Sequence, residues 1–261
     1  MTSTHPTLKS NTAWSPNPHL PTMYDLPSEF PEELGLPDTF HDLQPELLSI
    51  TLQLKDYTNN FFTGSDLNVY YDLDNPLWHK RPDWFLAVGV PCNYYGNQDM
   101  RLSYVTWQEA ANPFIVVELI SPGTEAEDMG ETEDQPGSPP TKWTVYESIL
   151  QIPYYVVFNR YTHQLFVNKL QADGAYQQQS LTDNRLWIPE LDIGLGLWHG
   201  TYRQSGAHRH KRDWLRWYDA NGDWLPTEAE SANQRANIAE AELAALKKKL
   251  RAKGIDPDEL M

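Results

Sequence analysis

Cysteine is nearly missing from this sequence, and long apolar runs are missing altogether. Cys92 is the single cysteine among 261 residues, which excludes an internal disulfide or a cysteine-based zinc cluster and fits a reducing compartment. No stretch reaches about 18 apolar residues, so no membrane span is expected. The N-terminal segment has no apolar signal core. We therefore expect a cytoplasmic protein without a membrane partner.

Basic residues are scarce as well. The chain has 20 Lys and Arg against 36 Asp and Glu, a formal net charge of −16, which counts against a sequence-independent nucleic-acid coat because such proteins are normally basic. It lacks a phosphate-binding glycine loop and the H-E-x-x-H zinc motif. With 40% hydrophobic and 12% aromatic residues, the chain can bury one large core or two small ones.

Proline and charge divide the chain into three predicted parts. Repeated prolines over 1–40 prevent regular helix and predict an extended arm. Residues 41–225 carry the patterns of a mixed α/β domain, interrupted over 123–140 by an acidic, proline-rich segment that predicts a solvated, mobile loop. Residues 226–261 predict a helix.

Hydrophobic periodicity predicts the order of elements in the α/β domain. The expected order is a helix, three strands, a second helix capped by Thr141, a fourth strand and a hairpin. These fall at 41–54, 67–72, 84–90, 114–120, 141–151, 154–158 and 165–181.

The C-terminal helix carries an apolar seam with alternating spacings of three and four residues, which is typical of a coiled coil. Its members are Ala229, Ala232, Ala236, Ala239, Leu243, Leu246 and Leu250. Two interpretations remain open. The helix pairs with a second copy, giving a homodimer, or it lies on its own domain.

Glu118 is the most informative single residue, because it lies inside the apolar run PFIVVELI. A buried carboxylate must be protonated, paired or bound to a metal, although a position at the sheet rim would leave it in solvent. Asp83 directly precedes another apolar strand, where a pair with Arg81 is the simpler interpretation. Lys142 begins the second helix and shares a face with Tyr146; alone, it would be an ordinary surface lysine.

Together these residues predict a metal-dependent hydrolytic site. Two carboxylates on adjacent strands, here Asp83 and Glu118, can hold one hard divalent cation such as Mg²⁺ or Mn²⁺. Such an ion acts as a Lewis acid. A nearby lysine, here Lys142, can stabilise the negative charge that develops on a phosphoryl group.

Three segments resemble a Uma-type family described as restriction endonucleases and common in cyanobacteria, within the PD-(D/E)XK nuclease superfamily. The segments are RPDWFLAVGVP, NPFIVVELISPGTEAED and KWTVYESILQIPYYVVF, and the likeness runs from about Asp38 to Asp219. The resemblance implies a restriction-endonuclease-like α/β core, a mixed central sheet flanked by helices, to which this chain adds its coiled-coil-like C-terminal helix.

The resemblance also implies roles for individual residues. Asp83 would be the acid of the PD motif and Glu118 the second acid, with the Leu119 carbonyl as a further metal ligand. The superfamily lysine belongs two residues after Glu118, where this chain has Ile120, so Lys142 from the following helix would supply it. An acid on the first helix is common in the superfamily, and Glu46 is the candidate here.

Two functional hypotheses follow. The first is a Mg²⁺- or Mn²⁺-dependent endonuclease that hydrolyses DNA, with Asp83, Glu118 and Lys142 as its catalytic residues. The second is a catalytically inactive interaction protein that keeps the nuclease fold and dimerises through its C-terminal helix. The net charge of −16 favours the second, because a like-charged protein repels duplex DNA.

Overall fold

The structure is a computed structural model of the whole chain, and it describes residues 17, 19–22, 25–26, 39–57, 60–94, 99–121, 124–203 and 209–253. Most of the predicted N-terminal arm lies outside this part of the chain. The protein divides into two compact units. Unit 1 comprises residues 1–45 and 54–184, and unit 2 comprises residues 46–53 and 185–261. Residues 41–225, predicted as one domain, contribute to both units.

Unit 1 is organised around one six-stranded mixed sheet with the strand order β1-β4-β6-β7-β8-β9. Neighbouring strands are antiparallel except for β6 and β7, which are parallel. The six strands are β1 Phe61–Gly64, β4 Trp84–Val88, β6 Ile115–Leu119, β7 Tyr154–Asn159, β8 Gln164–Leu170 and β9 Tyr176–Gln178.

The central strands are the ones that the apolar runs predict. Every residue of β6 and β7 is buried, as are the first four residues of β4. A strand covered on both faces carries a continuous apolar run, and such runs predict strands more securely than alternating patterns do. The predictions for β4, β6, β7 and the β8–β9 hairpin are confirmed to within a few residues.

The predicted first strand is wrong. The alternating segment 67–72 contributes only β2, Val69–Tyr70, to a separate three-stranded sheet with β3 His79–Lys80 and β5 Tyr104–Val105. The neighbour of β4 on the side away from β6 is β1, and Gly64 of β1 lies against Phe85, where a Cβ atom would come within 2.3 Å of the ring. The segment Phe61–Gly64 is short and does not alternate between apolar and polar residues, so hydrophobic periodicity does not predict β1.

Two short helices complete unit 1 beside the sheet. α2, Glu125–Asp128, interrupts the segment predicted as a solvated loop, and α3, Lys142–Thr144, continues as a π-helical turn over Val145–Ile149. The Thr141 side chain accepts a hydrogen bond from the Thr144 amide, which confirms the predicted cap.

α1, Thr39–Thr51, is shared between the units: its residues through Pro45 belong to unit 1 and those from Glu46 to unit 2. Unit 2 also contains a three-stranded antiparallel sheet and the 25-residue helix α4. Their bounds are β10 Arg185–Ile188, β11 Ile193–Arg203, β12 Arg209–Tyr218 and α4 Glu228–Ala252. Among the described helices, none combines the length and the hydropathy needed to cross a bilayer.

Candidate active site

Glu118 lies in the middle of the sheet of unit 1 and is 1% exposed. Side chains alternate along a strand, so Glu118 shares a face of β6 with Val116, which packs in the cluster that includes Val145 and Tyr155. Both carboxylate oxygens have partners: the Tyr146 hydroxyl donates to Oε1 at 2.8 Å, and Lys142 Nζ donates to Oε2 at 3.0 Å. The interpretation of Glu118 as a rim residue is therefore wrong.

Lys142 is the first residue of α3, directly after the Thr141 cap, and its side chain extends from the start of that helix into the site. Its Nζ also donates to Asp128 Oδ1 at 2.6 Å, so one ammonium joins two carboxylates that are each 1% exposed. Burial alone would lower the pKa of Lys142, but Glu118 and Asp128 outweigh burial and raise it above its ordinary value. Lys142 therefore stays charged, and it is not the surface lysine that its position alone suggested.

The pKa of Glu118 reflects burial more than pairing. Burial raises it to about 8, against the opposing effect of Lys142. Burial also raises the pKa of Tyr146 well above its usual value, so the hydroxyl remains a hydrogen-bond donor. Pairing with a cation is one of the ways in which a protein accommodates a buried carboxyl, and Lys142 provides that pairing here.

Asp83 reaches the same site from the neighbouring strand. β4 and β6 pair with Trp84 opposite Val117, and one further step of that register sets Asp83 opposite Glu118. Opposite residues of antiparallel strands point to the same face. Asp83 Oδ2 accepts a hydrogen bond from the Leu119 amide at 2.6 Å, and no described donor bonds to its Oδ1. Burial raises the pKa of Asp83, although this amide opposes the shift.

The alternative pairing of Asp83 with Arg81 does not occur among the described residues. Arg81 instead pairs with Asp66 at 2.6 Å. Within the site, Asp83 interacts electrostatically with Lys142 and His41.

Two residues of the site have no signal in the sequence patterns. Asp128 belongs to the acidic segment predicted to be solvated, and that prediction is wrong for this residue: it is buried, and its carbonyl accepts a hydrogen bond from the Tyr155 hydroxyl at 2.7 Å. His41 Nε2 lies 2.9 Å from the Leu119 carbonyl oxygen. Neither contact can be read from spacing, because both depend on how distant segments meet.

Glu46, the candidate acid on the first helix, belongs to the part of α1 that falls in unit 2. There it hydrogen-bonds with Tyr202 of β11. Asp83 and Glu118 belong to unit 1.

The donor atoms of the site suit a hard divalent cation. Asp83 and Glu118 present carboxylate oxygens, and the Leu119 carbonyl follows directly in β6, so the set consists of oxygen donors, which Mg²⁺ and Mn²⁺ prefer. Within the described ranges, no group of three or more His, Cys, Asp or Glu side chains is arranged to hold a metal. Water would have to complete the coordination shell, as is usual for Mg²⁺.

Comparison with known families identifies the chain. Residues 22–203 match the family model Uma2, whose description is "Putative restriction endonuclease". The chain belongs to the Uma2 family. The match covers more than half of the sequence, including Asp83, Glu118 and Lys142. The expected fold class is confirmed: unit 1 of this Uma2 protein has a restriction-endonuclease-like α/β core, and its family is one of nucleases.

One solved structure similar to this Uma2 protein is a "putative nuclease belonging to DUF820" from Anabaena variabilis. It shares 12% sequence identity at a TM-score of 0.41, over 60% of this chain and 76% of that chain. No curated protein matches the sequence.

Proposed function

We propose that this Uma2 protein is a divalent metal-dependent endonuclease that hydrolyses phosphodiester bonds in DNA. One observation carries the proposal: Glu118 is buried in the sheet, is bonded to Lys142 at 3.0 Å, and lies opposite Asp83 across the β4–β6 pair. Burying a carboxyl in this position costs free energy of folding, and groups buried at such a cost are often found at functional sites. Membership in a nuclease family supports the same conclusion.

In this proposal Asp83, Glu118 and the Leu119 carbonyl hold Mg²⁺ or Mn²⁺. The bound ion supplies Lewis-acid polarisation of a phosphoryl oxygen. Asp83 is oriented by the Leu119 amide, so its second oxygen, Oδ1, is available as a ligand. Tyr146 orients Glu118 by donating to Oε1.

Lys142 provides the positive charge that stabilises the phosphoryl group in the transition state. Ile120, at the position where the superfamily has its lysine, is 3% exposed and packs in the hydrophobic cluster, so it can take no such role. The Lys142 ammonium reaches Glu118 from the helix side instead. Asp128 holds the same ammonium at 2.6 Å, which keeps Lys142 in place whether or not Glu118 binds a metal.

Plasmid cleavage tests the proposal. The wild-type protein should nick or linearise supercoiled DNA with Mg²⁺ or Mn²⁺ and lose this activity with EDTA. Asp83→Asn should reduce the rate by at least about 100-fold, because it removes a charged ligand whose loss weakens the binding of the ion. Asp173→Asn is the matched control, since Asp173 is exposed in the turn between β8 and β9 and makes the same charge change away from the site. Equal rates for wild type and Asp83→Asn would reject the assignment.

The second hypothesis, a non-catalytic interaction protein on a nuclease fold, retains one supporting observation. The chain carries a net charge of −16, which opposes the approach of duplex DNA. This hypothesis predicts no cleavage under any metal condition and no metal binding that depends on Asp83 and Glu118.

A further inference from the structure

The C-terminal helix α4 is long and has no buried residue along its 25 positions. Its first turn is firmly attached to unit 2: Thr227 and Glu230 form a capping box, and Glu230 pairs with Arg216 of β12. Beyond this turn no residue of the helix is buried. The interpretation of α4 as a helix lying along its own domain is therefore wrong. A helix whose stability rests on propensity alone is marginal in water.

The seam of α4 offers the apolar surface that a partner helix would cover. Leu243 is 54% exposed and Leu246 is 55% exposed. The seven seam residues are Ala229, Ala232, Ala236, Ala239, Leu243, Leu246 and Leu250, which occupy alternating a and d positions of a heptad repeat. Burying this stripe against another helix would stabilise α4 along its length.

We propose that α4 pairs with α4 of a second copy of this chain in a parallel, in-register, two-stranded coiled coil. The charges beside the seam support this occupant. In a parallel pair each g residue faces the e residue five positions on in the other helix. Arg235 then faces Glu240 of the partner subunit, and Glu242 faces Lys247 of the partner subunit. Two-fold symmetry makes each of these attractive pairs occur twice.

Antiparallel pairing fits the same helix less well. With full overlap of α4 it would set Glu242 against Glu242 of the partner subunit and Arg235 against Lys249 of the partner subunit, both like-charged. A shift by one heptad removes these repulsions, but in one direction it leaves the first alanines of the seam outside the overlap of the two helices, and in the other it leaves Leu250 outside. Only the parallel register combines attractive charges with contact along the whole seam.

Light scattering on the full-length protein across a dilution series tests this proposal, and it does so whether or not the chain cleaves DNA. Wild type should have twice the chain mass of 30.1 kDa. Arg235→Glu should weaken the dimer at least about tenfold, because attraction becomes repulsion at two symmetry-related pairs. Adding Glu240→Arg to Arg235→Glu should restore the dimer. Lys248→Glu is the control, with the same charge change at an f position away from the seam.

Three outcomes would overturn the proposal. A wild-type mass of one chain at every concentration would show that the helices do not pair. An Arg235→Glu variant that dimerises as tightly as the wild type would show that Arg235 does not face Glu240 of the partner subunit. A double variant that stays as weak as either single variant would indicate a shifted antiparallel pairing, in which Glu240 faces Lys247 of the partner subunit or Arg235 faces Glu242 of the partner subunit.

Discussion

Lys142→Met should lower the free energy of unfolding by about 3–5 kcal/mol. Lys142 is the ammonium bonded to Glu118 and Asp128, and both of these acids are 1% exposed. Methionine keeps most of the side-chain volume but leaves the two buried carboxyls without their cation. Removing one partner of a buried ion pair is costly because the remaining charge can be neither solvated nor neutralised without a penalty.

Lys80→Met is the matched control for this measurement. Lys80 is also largely buried, but its partner Glu127 is 39% exposed and can return to water. The same substitution there should cost about 1 kcal/mol or less. Chemical unfolding of both variants, followed by circular dichroism, gives the comparison. Adding Asp128→Asn to Lys142→Met should recover part of the lost stability. If Lys142→Met and Lys80→Met cost the same, Lys142 does not have the structural role assigned to it.

Glu118→Gln should abolish metal-dependent cleavage while leaving the protein at least as stable as the wild type at neutral pH. Glutamine keeps the shape of the side chain and can still accept a hydrogen bond from Tyr146 or Lys142. It removes the charged oxygen that the proposed metal requires, and a rate loss of at least about 100-fold is expected. Initial rates of plasmid cleavage at saturating Mn²⁺, together with the unfolding midpoint of the same preparation, check both parts. Full activity or a collapsed fold would each contradict the prediction.

The stability of the Glu118→Gln variant relative to the wild type should depend on pH. Burial raises the pKa of Glu118 from 4.5 to about 8. A carboxyl with a raised folded-state pKa contributes stability that is complete below pH 4.5 and is lost as the pH rises through about 8. Glu118→Gln resembles the protonated form at every pH. The variant should therefore gain stability relative to the wild type as the pH rises from about 4.5 to about 8, with no further gain above that, which a series of unfolding curves would measure.

Much of the candidate site was predictable because it lies on apolar strands. A charge inside PFIVVELI is a conflict within the sequence, and such conflicts mark functional positions. The Thr141 cap indicated the helix start that carries Lys142, and the four-residue spacing placed Tyr146 on the same face. In the structure Lys142 and Tyr146 both bond to Glu118; the shared face follows from the spacing, whereas the contact of Tyr146 with Glu118 does not.

The remaining features depended on tertiary contacts that local patterns do not encode. Asp128 is one of several acids in a proline-rich segment, and its composition favours solvent exposure. It becomes buried because α2 packs where Lys142 and Tyr155 can bond to it. β1 is not predictable for a related reason. Position 64 requires glycine because the Phe85 ring leaves no room for a Cβ atom, and strand propensity does not reflect this requirement.

Titration calorimetry with Mn²⁺ tests the central claim, that Asp83 and Glu118 jointly hold a divalent cation. We expect the wild-type protein to bind Mn²⁺, Asp173→Asn to bind it equally well, and the double variant Asp83→Asn with Glu118→Gln to give no binding heat. Absence of binding by the wild type, or undiminished binding by the double variant, would contradict the account.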